Sequence, residues 1–168
     1  NPPIVRKDLS QLGSFGRRGV GYDVPGLAAT IGRSLGLDRQ WRVALFGAGN
    51  LGRALAGYAG FRSNGFSLVA LLDAAPGLVG FLFADLRVED TGALEDVLAR
   101  EQANMAVLAV PGHAAQALCD RIVAVGVRNI LSFAPVVLQV PDGVRVRRVD
   151  MARELQILAY YAAGAGPS

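Results

Sequence analysis

The stretch "RVALFGAGNLGRAL", residues 42–55, constrains the fold more tightly than any other part of the chain. An apolar run that reads as a buried strand leads straight into Gly47-x-Gly49-x-x-Gly52, and a helical pattern leaves it. Glycine makes up 21 of the 168 residues, so the spacing alone is weak. Its setting discriminates: the next apolar run, "FSLVALLD", ends on an acid, Asp73, 21 residues beyond Gly52. Gly47 permits a tight turn, Gly49 lets backbone approach a pyrophosphate, and Gly52 allows close helix–strand packing. Ala48, Asn50 and Leu51 fill the positions between them, and the helix opening near Asn50 offers N–H groups to phosphate. Asp73 is placed to accept hydrogen bonds from the hydroxyls of an adenosine ribose. A 2′-phosphate would meet its like charge, and Ala74 and Ala75 bring no arginine to neutralise it. The expected cofactor is NADH/NAD+.

The rest of the chain fits an α/β fold of the Rossmann type, a doubly wound parallel sheet. After "RVALFG" come the helix "NLGRALAGYAGF", the strand "FSLVALLD" and the amphipathic helix "GALEDVLAREQ". The strand "MAVLAV", the helix "GHAAQALCDRIVAVG" and the strand "RNILSFAP" follow, then an alternating edge strand "VRVRRVD" and a last helix, "MARELQILAYYAAG". Val110-Pro111 and Phe133-Ala134-Pro135 close successive strands, on the side where such sheets bind ligands. Small apolar groups there suit a nicotinamide ring, although loop chemistry alone also accounts for them.

Several function classes are disfavoured. The one histidine, His113, opens a helix, and Tyr58 and Asp150 belong to no acid–base set, so binding without turnover is expected. No clustered Cys and His offer a metal site. The longest uncharged run, residues 102–119, is interrupted by Pro111-Gly112-His113 and does not read as a membrane span. The one cysteine, Cys119, reads as a small buried hydrophobe and fits a reducing, cytoplasmic setting. The opening "NPPIVRKD" has no leader pattern and no initiator methionine, so a fragment or a processed product is expected.

Charge is unevenly placed. Residues 1–42 hold seven basic side chains against three acids, a net of +4, which leaves −1 for the remainder of a chain whose total is +3. Within that segment a short basic helix, residues 3–13, precedes "SFGRRGVGYDV", which reads as two short strands meeting near Arg17, Arg18 and Gly19. "PGLAATIGRSLGL" then reads as a connecting helix. Positive charge gathered here suits a phosphate backbone.

"VRKDLSQLGSFGRRGVGYDV", "LFGAGNLGRALAGYAGF", "VPGHAAQ", "SFAP" and "VDMARELQILAYY" stand in the order and spacing of the Rex redox-sensing transcriptional repressors, which the chain resembles over essentially its whole length. The resemblance implies a remnant of a winged-helix DNA-binding domain (1–24), a connecting helix (25–40), an NAD(H)-binding Rossmann domain (41–149) and a domain-swapped C-terminal dimerisation helix with its tail (150–168). It implies a homodimer on operator DNA that leaves the DNA when NADH binds. Arg6, Lys7 and Ser10 would lie on the recognition helix and Arg17 and Arg18 on the wing. Tyr58 and Asp150 would neighbour the nicotinamide, Asp150 reaching it from the partner subunit.

Two departures stand out. Ser132 replaces the usual asparagine of Asn-Phe-Ala-Pro, and the helices that precede a recognition helix do not occur ahead of Val5. DNA binding is therefore expected of the parent protein, NAD(H) binding of this chain. A small NAD-dependent oxidoreductase and a CoA-binding Rossmann module without a DNA role remain the alternatives.

Overall fold

A computed structural model describes residues 16–17, 21–22, 24–34 and 40–163. The chain divides into two compact units, Asn1–Gln40 and Trp41–Ser168.

In the first unit, β1 (Gly16–Arg17) pairs antiparallel with β2 (Gly21–Tyr22), with Gly16 opposite Tyr22 and Arg17 opposite Gly21. This agrees with the expected pair of short strands. Helix α1 (Val24–Ser34) follows. It carries Pro25 in its first turn, where a missing N–H costs no helical hydrogen bond. The expected basic helix at 3–13 lies outside the described residues.

The second unit is built on a seven-stranded sheet. Its strands are β3 (Trp41–Phe46), β4 (Phe66–Asp73), β5 (Leu82–Phe83), β6 (Leu86–Asp90), β7 (Met105–Leu108), β8 (Asn129–Ser132) and β9 (Arg145–Arg148). Their order is β5-β6-β4-β3-β7-β8-β9. From β6 to β9 every pairing is parallel, whereas β5 pairs antiparallel with β6. The six parallel strands thus follow the doubly wound order, which reverses direction between β3 and β7.

Strand alternation splits the core between two faces. Ala44, Phe46, Ala70, Leu72, Ala106, Leu108 and Ile130 point to one face, under α4 (Leu94–Arg100) and α5 (Gly112–Ala124). Val43, Leu45, Leu71, Val88 and Val107 point to the other, where Leu55 and Ala56 of α2 (Asn50–Ala56) pack against them. Helices α4 and α5 are also tied at their surface, because Arg121 grips Glu95 with both guanidinium arms, at 2.7 and 2.6 Å.

Three features differ from expectation. The helix after the glycine motif is two helices, α2 and α3 (Ala59–Ser63), because the chain turns extended at Tyr58. The β5–β6 hairpin was not foreseen, and it makes the sheet mixed rather than wholly parallel. Its turn places Ala84 and Asp85 at φ 48° and 66°, a conformation that Asp tolerates but that Ala84, in place of a glycine or asparagine, does not announce. The helix expected from Gly92 begins instead as a 3₁₀ turn, Thr91–Ala93, in which the Asp90 carboxylate accepts from the Gly92 N–H. The last helix, α6 (Met151–Ala162), is exposed along its whole length.

Candidate dinucleotide-binding site

The crossover from β3 to α2 is held to its neighbours by short backbone contacts. Gly47 takes φ +101°, and its N–H donates to the Leu72 carbonyl at 2.8 Å. A Cβ at Gly47 would overlap the Ala109 carbonyl, and one at Gly52 would overlap the Gly47 carbonyl. Both glycines are therefore required by the protein itself. Gly49 is different: a Cβ there would meet nothing within 4 Å. Gly49 is also the N-cap of α2 and offers no side chain to its first N–H groups, and no acid lies in that turn. The chain gives Gly49 no internal reason to be glycine, which leaves open backbone facing outward beside a helix start.

Asp73, the last residue of β4, faces this loop. Its Oδ2 accepts from the Ala48 N–H at 2.6 Å and its Oδ1 from the Ala75 N–H at 2.7 Å. A carboxylate oxygen has two lone pairs, so each can take a further donor. The carboxylate both latches the loop and stands beside it with acceptor capacity to spare. Ala48 is fully buried by this arrangement. The residues present fit a nucleotide whose diphosphate meets the Gly47–Gly52 backbone and whose ribose meets Asp73.

The next crossovers lie on the same side of the sheet. Val110 and Pro111 follow β7, and Phe133, Ala134 and Pro135 follow β8. Phe133 N–H donates to the Leu108 carbonyl at 2.9 Å, and Ala134 N–H donates to the buried Ser132 hydroxyl at 3.3 Å. A Cβ at Gly112 would press on Val136 Cγ1 at 2.7 Å, so glycine lets α5 start against this segment. A clamp between Gln116 and Gln139 has no local sequence pattern to mark it. Gln116 accepts from the Gln139 N–H and donates to the Gln139 carbonyl, both at 2.9 Å, which fixes the chain after Pro135 to α5. Ala109, whose carbonyl abuts Gly47, was missed for the same reason: both act between residues far apart in sequence.

Other expected residues stand elsewhere. Tyr58 lies at the break between α2 and α3 and lines a cavity of about 330 Å³ with Phe61, Arg62, Ser67 and Asp85. That cavity sits where β4 and β6 begin, at the opposite strand ends from the glycine loop, so one chain does not bring Tyr58 to the crossovers. Asp150 follows β9 on the crossover side, where the preceding Val149 N–H donates to the Ser132 carbonyl at 2.8 Å. Its carboxylate caps α6 by accepting from the Arg153 N–H at 3.1 Å, and it lies 3.8 Å from Arg148. Arg17 belongs to β1, while Arg6, Lys7, Ser10 and Arg18 fall outside the described residues. His113 is exposed in the first turn of α5. Cys119 is buried on α5, and burial pushes its thiol upward, as suits an inert core residue. Among the described residues no Cys, His, Asp and Glu cluster could hold a metal, and no helix is long and apolar enough to cross a membrane.

The chain is similar to several known proteins. The family model described as a CoA binding domain matches residues 38–136. The chain is 52% identical over 161 residues to the redox-sensing transcriptional repressor Rex of Streptomyces coelicolor, covering 96% of this chain and 62% of that protein. It is 46% identical over 159 residues to the Rex repressor of Chloroflexus aurantiacus, covering 95% of this chain and 75% of the relative. Among solved structures it resembles RSP, a Rex-family repressor. The complex of RSP with β-NAD+ and operator DNA superimposes with a TM-score of 0.83 at 35% identity, over 98% of this chain and 76% of that one. The complex with β-NADH gives 0.78 at 34%, over 96% and 75%. A doubly wound sheet, a glycine crossover latched by an acid and relatives at this identity lead to one assignment: the chain belongs to the Rex family of redox-sensing transcriptional repressors.

Proposed function

We propose that this chain is the cofactor-sensing part of a repressor that holds operator DNA and leaves it when NADH binds. The observation that carries the reading is the pairing of Gly49, open on its outer side, with Asp73, fixed beside it by the Ala48 and Ala75 amides. RSP, solved with NAD+ on operator DNA and with NADH, supports the choice of ligand and partner. Gly49, Asn50, Leu51 and Gly52 would receive the diphosphate, on a turn whose Gly47 and Ala48 amides are held by Leu72 and Asp73, and Asp73 would receive the adenosine ribose. Val110, Pro111, Phe133 and Pro135 would border the nicotinamide, with Ala134 buried in the core behind them.

The CoA reading has the family model behind it but meets a charge problem. CoA carries a phosphate on the 3′ oxygen of the same ribose, and the Asp73 carboxylate would repel it.

The cofactor supplies a ring that is cationic when oxidised and neutral when reduced. A ligand shifts a two-state dimer only by its differential affinity for the two states. Discrimination therefore belongs to groups that feel that charge: Phe133 at the crossovers, and Tyr58 and Asp150, which a second copy would have to offer. We assign the dimer contact to α6, whose exposed apolar side chains suit exchange between copies. In the intact cytoplasmic protein Arg6, Lys7, Ser10, Arg17 and Arg18 would meet DNA, mainly phosphate.

A band-shift assay with the intact protein and DNA from its own promoter region tests the whole proposal. NADH should release the DNA where equal NAD+ does not, and affinity should fall steeply with salt. A complex that survives saturating NADH would refute it.

A further inference from the structure

Gly60 stands where glycine has no conformational reason to be. It lies inside α3 with an ordinary helical backbone and is absent from the glycines that take positive φ. Alanine is the better residue at such a position, since glycine forfeits more backbone entropy in a helix. The reason lies in a side chain two residues earlier. A Cβ at Gly60 would overlap the phenol ring of Tyr58. That ring is seated on the bare Gly60 Cα and meets Phe61 edge-on, with centroids 5.3 Å apart and planes at 88°. Otherwise Tyr58 is 60% exposed, so no core packing fixes it.

We propose that Gly60 is a positioning residue for Tyr58: its missing side chain is the seat that holds the phenol at the mouth of the cavity shared with Arg62 and Asp85. The obstruction raised by a methyl group at position 60 is an exposed side-chain ring rather than backbone. Gly60→Ala would therefore displace the ring and leave the helix intact. The functional consequence rests on the proposed part of Tyr58 in cofactor discrimination; the placement itself does not.

Tyrosine-labelled NMR of the chain separates the two. There are four tyrosines, and Tyr58→Phe identifies the Tyr58 signal by its loss. In Gly60→Ala the Tyr58 ring signal should move, while the protein melts at or above the parent temperature. Calorimetric titration with NADH and NAD+ should give Gly60→Ala the altered preference of Tyr58→Ala, and adding Gly60→Ala to Tyr58→Ala should change nothing more. An unmoved Tyr58 signal overturns the inference, as does a loss of melting temperature from a disturbed backbone. A Tyr58 signal that moves while Tyr58→Ala leaves both affinities untouched upholds the seat and removes Tyr58 from the sensing reading instead.

Discussion

The three glycines of the crossover look alike in sequence, yet the structure assigns them different burdens. Gly52 cannot carry a Cβ without displacing the Gly47 carbonyl, so Gly52→Ala should cost on the order of 1–3 kcal/mol of stability through overpacking, read as a lower denaturation midpoint. Gly49→Ala should leave that midpoint unchanged, because its Cβ would point into open space, and should weaken NADH binding at least tenfold in calorimetry. If instead the two variants lose stability and binding together, Gly49 is an ordinary packing residue. Asp73→Asn exchanges an acceptor for a donor at one of two short amide contacts. Loss of a charge-assisted hydrogen bond costs about 1.5–3 kcal/mol, so NADH affinity should fall roughly tenfold or more, with discrimination against NADPH reduced. Gln116→Ala removes both bonds to Gln139. The expected loss is about 1–3 kcal/mol, measured by denaturant unfolding.

Helices α4 and α5 share a surface tie whose pH dependence has a definite sign. The Arg121 guanidinium, bonded side chain to side chain, holds the Glu95 carboxyl below its ordinary value. A carboxyl so depressed adds stability above its unfolded value near 4.5 and loses it as pH falls through the folded value. The pair is exposed, so its contribution is small and screened by salt. The melting difference between the parent and Glu95→Gln should accordingly be positive at neutral pH and low salt, and shrink as pH falls through the depressed folded value or at high salt. A difference that grows on acidification would contradict the assignment. At this scale most of the order of elements was legible, since the apolar runs at 41–46, 66–73 and 105–108 become buried strands. The break at Tyr58 was not, because the apolar helical pattern runs on through Gly57 into Phe61. The β5–β6 hairpin escaped too: its left-handed turn residues are Ala84 and Asp85, with none of the Asn-Gly chemistry that marks such turns. The glycine loop and Asp73 were readable because their spacing is local, whereas Ala109 and Gln116 act across distant strands and helices.

Among the described residues, α6 carries a row of exposed apolar side chains, the basis of the dimer contact proposed for it. Met151, Leu155 and Leu158 are 62, 67 and 64% exposed and recur at helical spacing along one side. Each leucine side chain gains about 1.5–3 kcal/mol on burial, so a second copy has reason to cover them. Leu155→Arg should convert a dimer to a monomer in analytical ultracentrifugation; a parent that is monomeric at high concentration would remove α6 as a dimer contact. The proposed sensing depends on nicotinamide dinucleotide resting at the β3–α2 crossover, and calorimetric titration of this chain tests that directly. NADH and NAD+ should both bind once per chain, NADH the tighter, with NADPH and CoA far weaker. A folded chain that takes up neither NADH nor NAD+, or that prefers CoA, would contradict it.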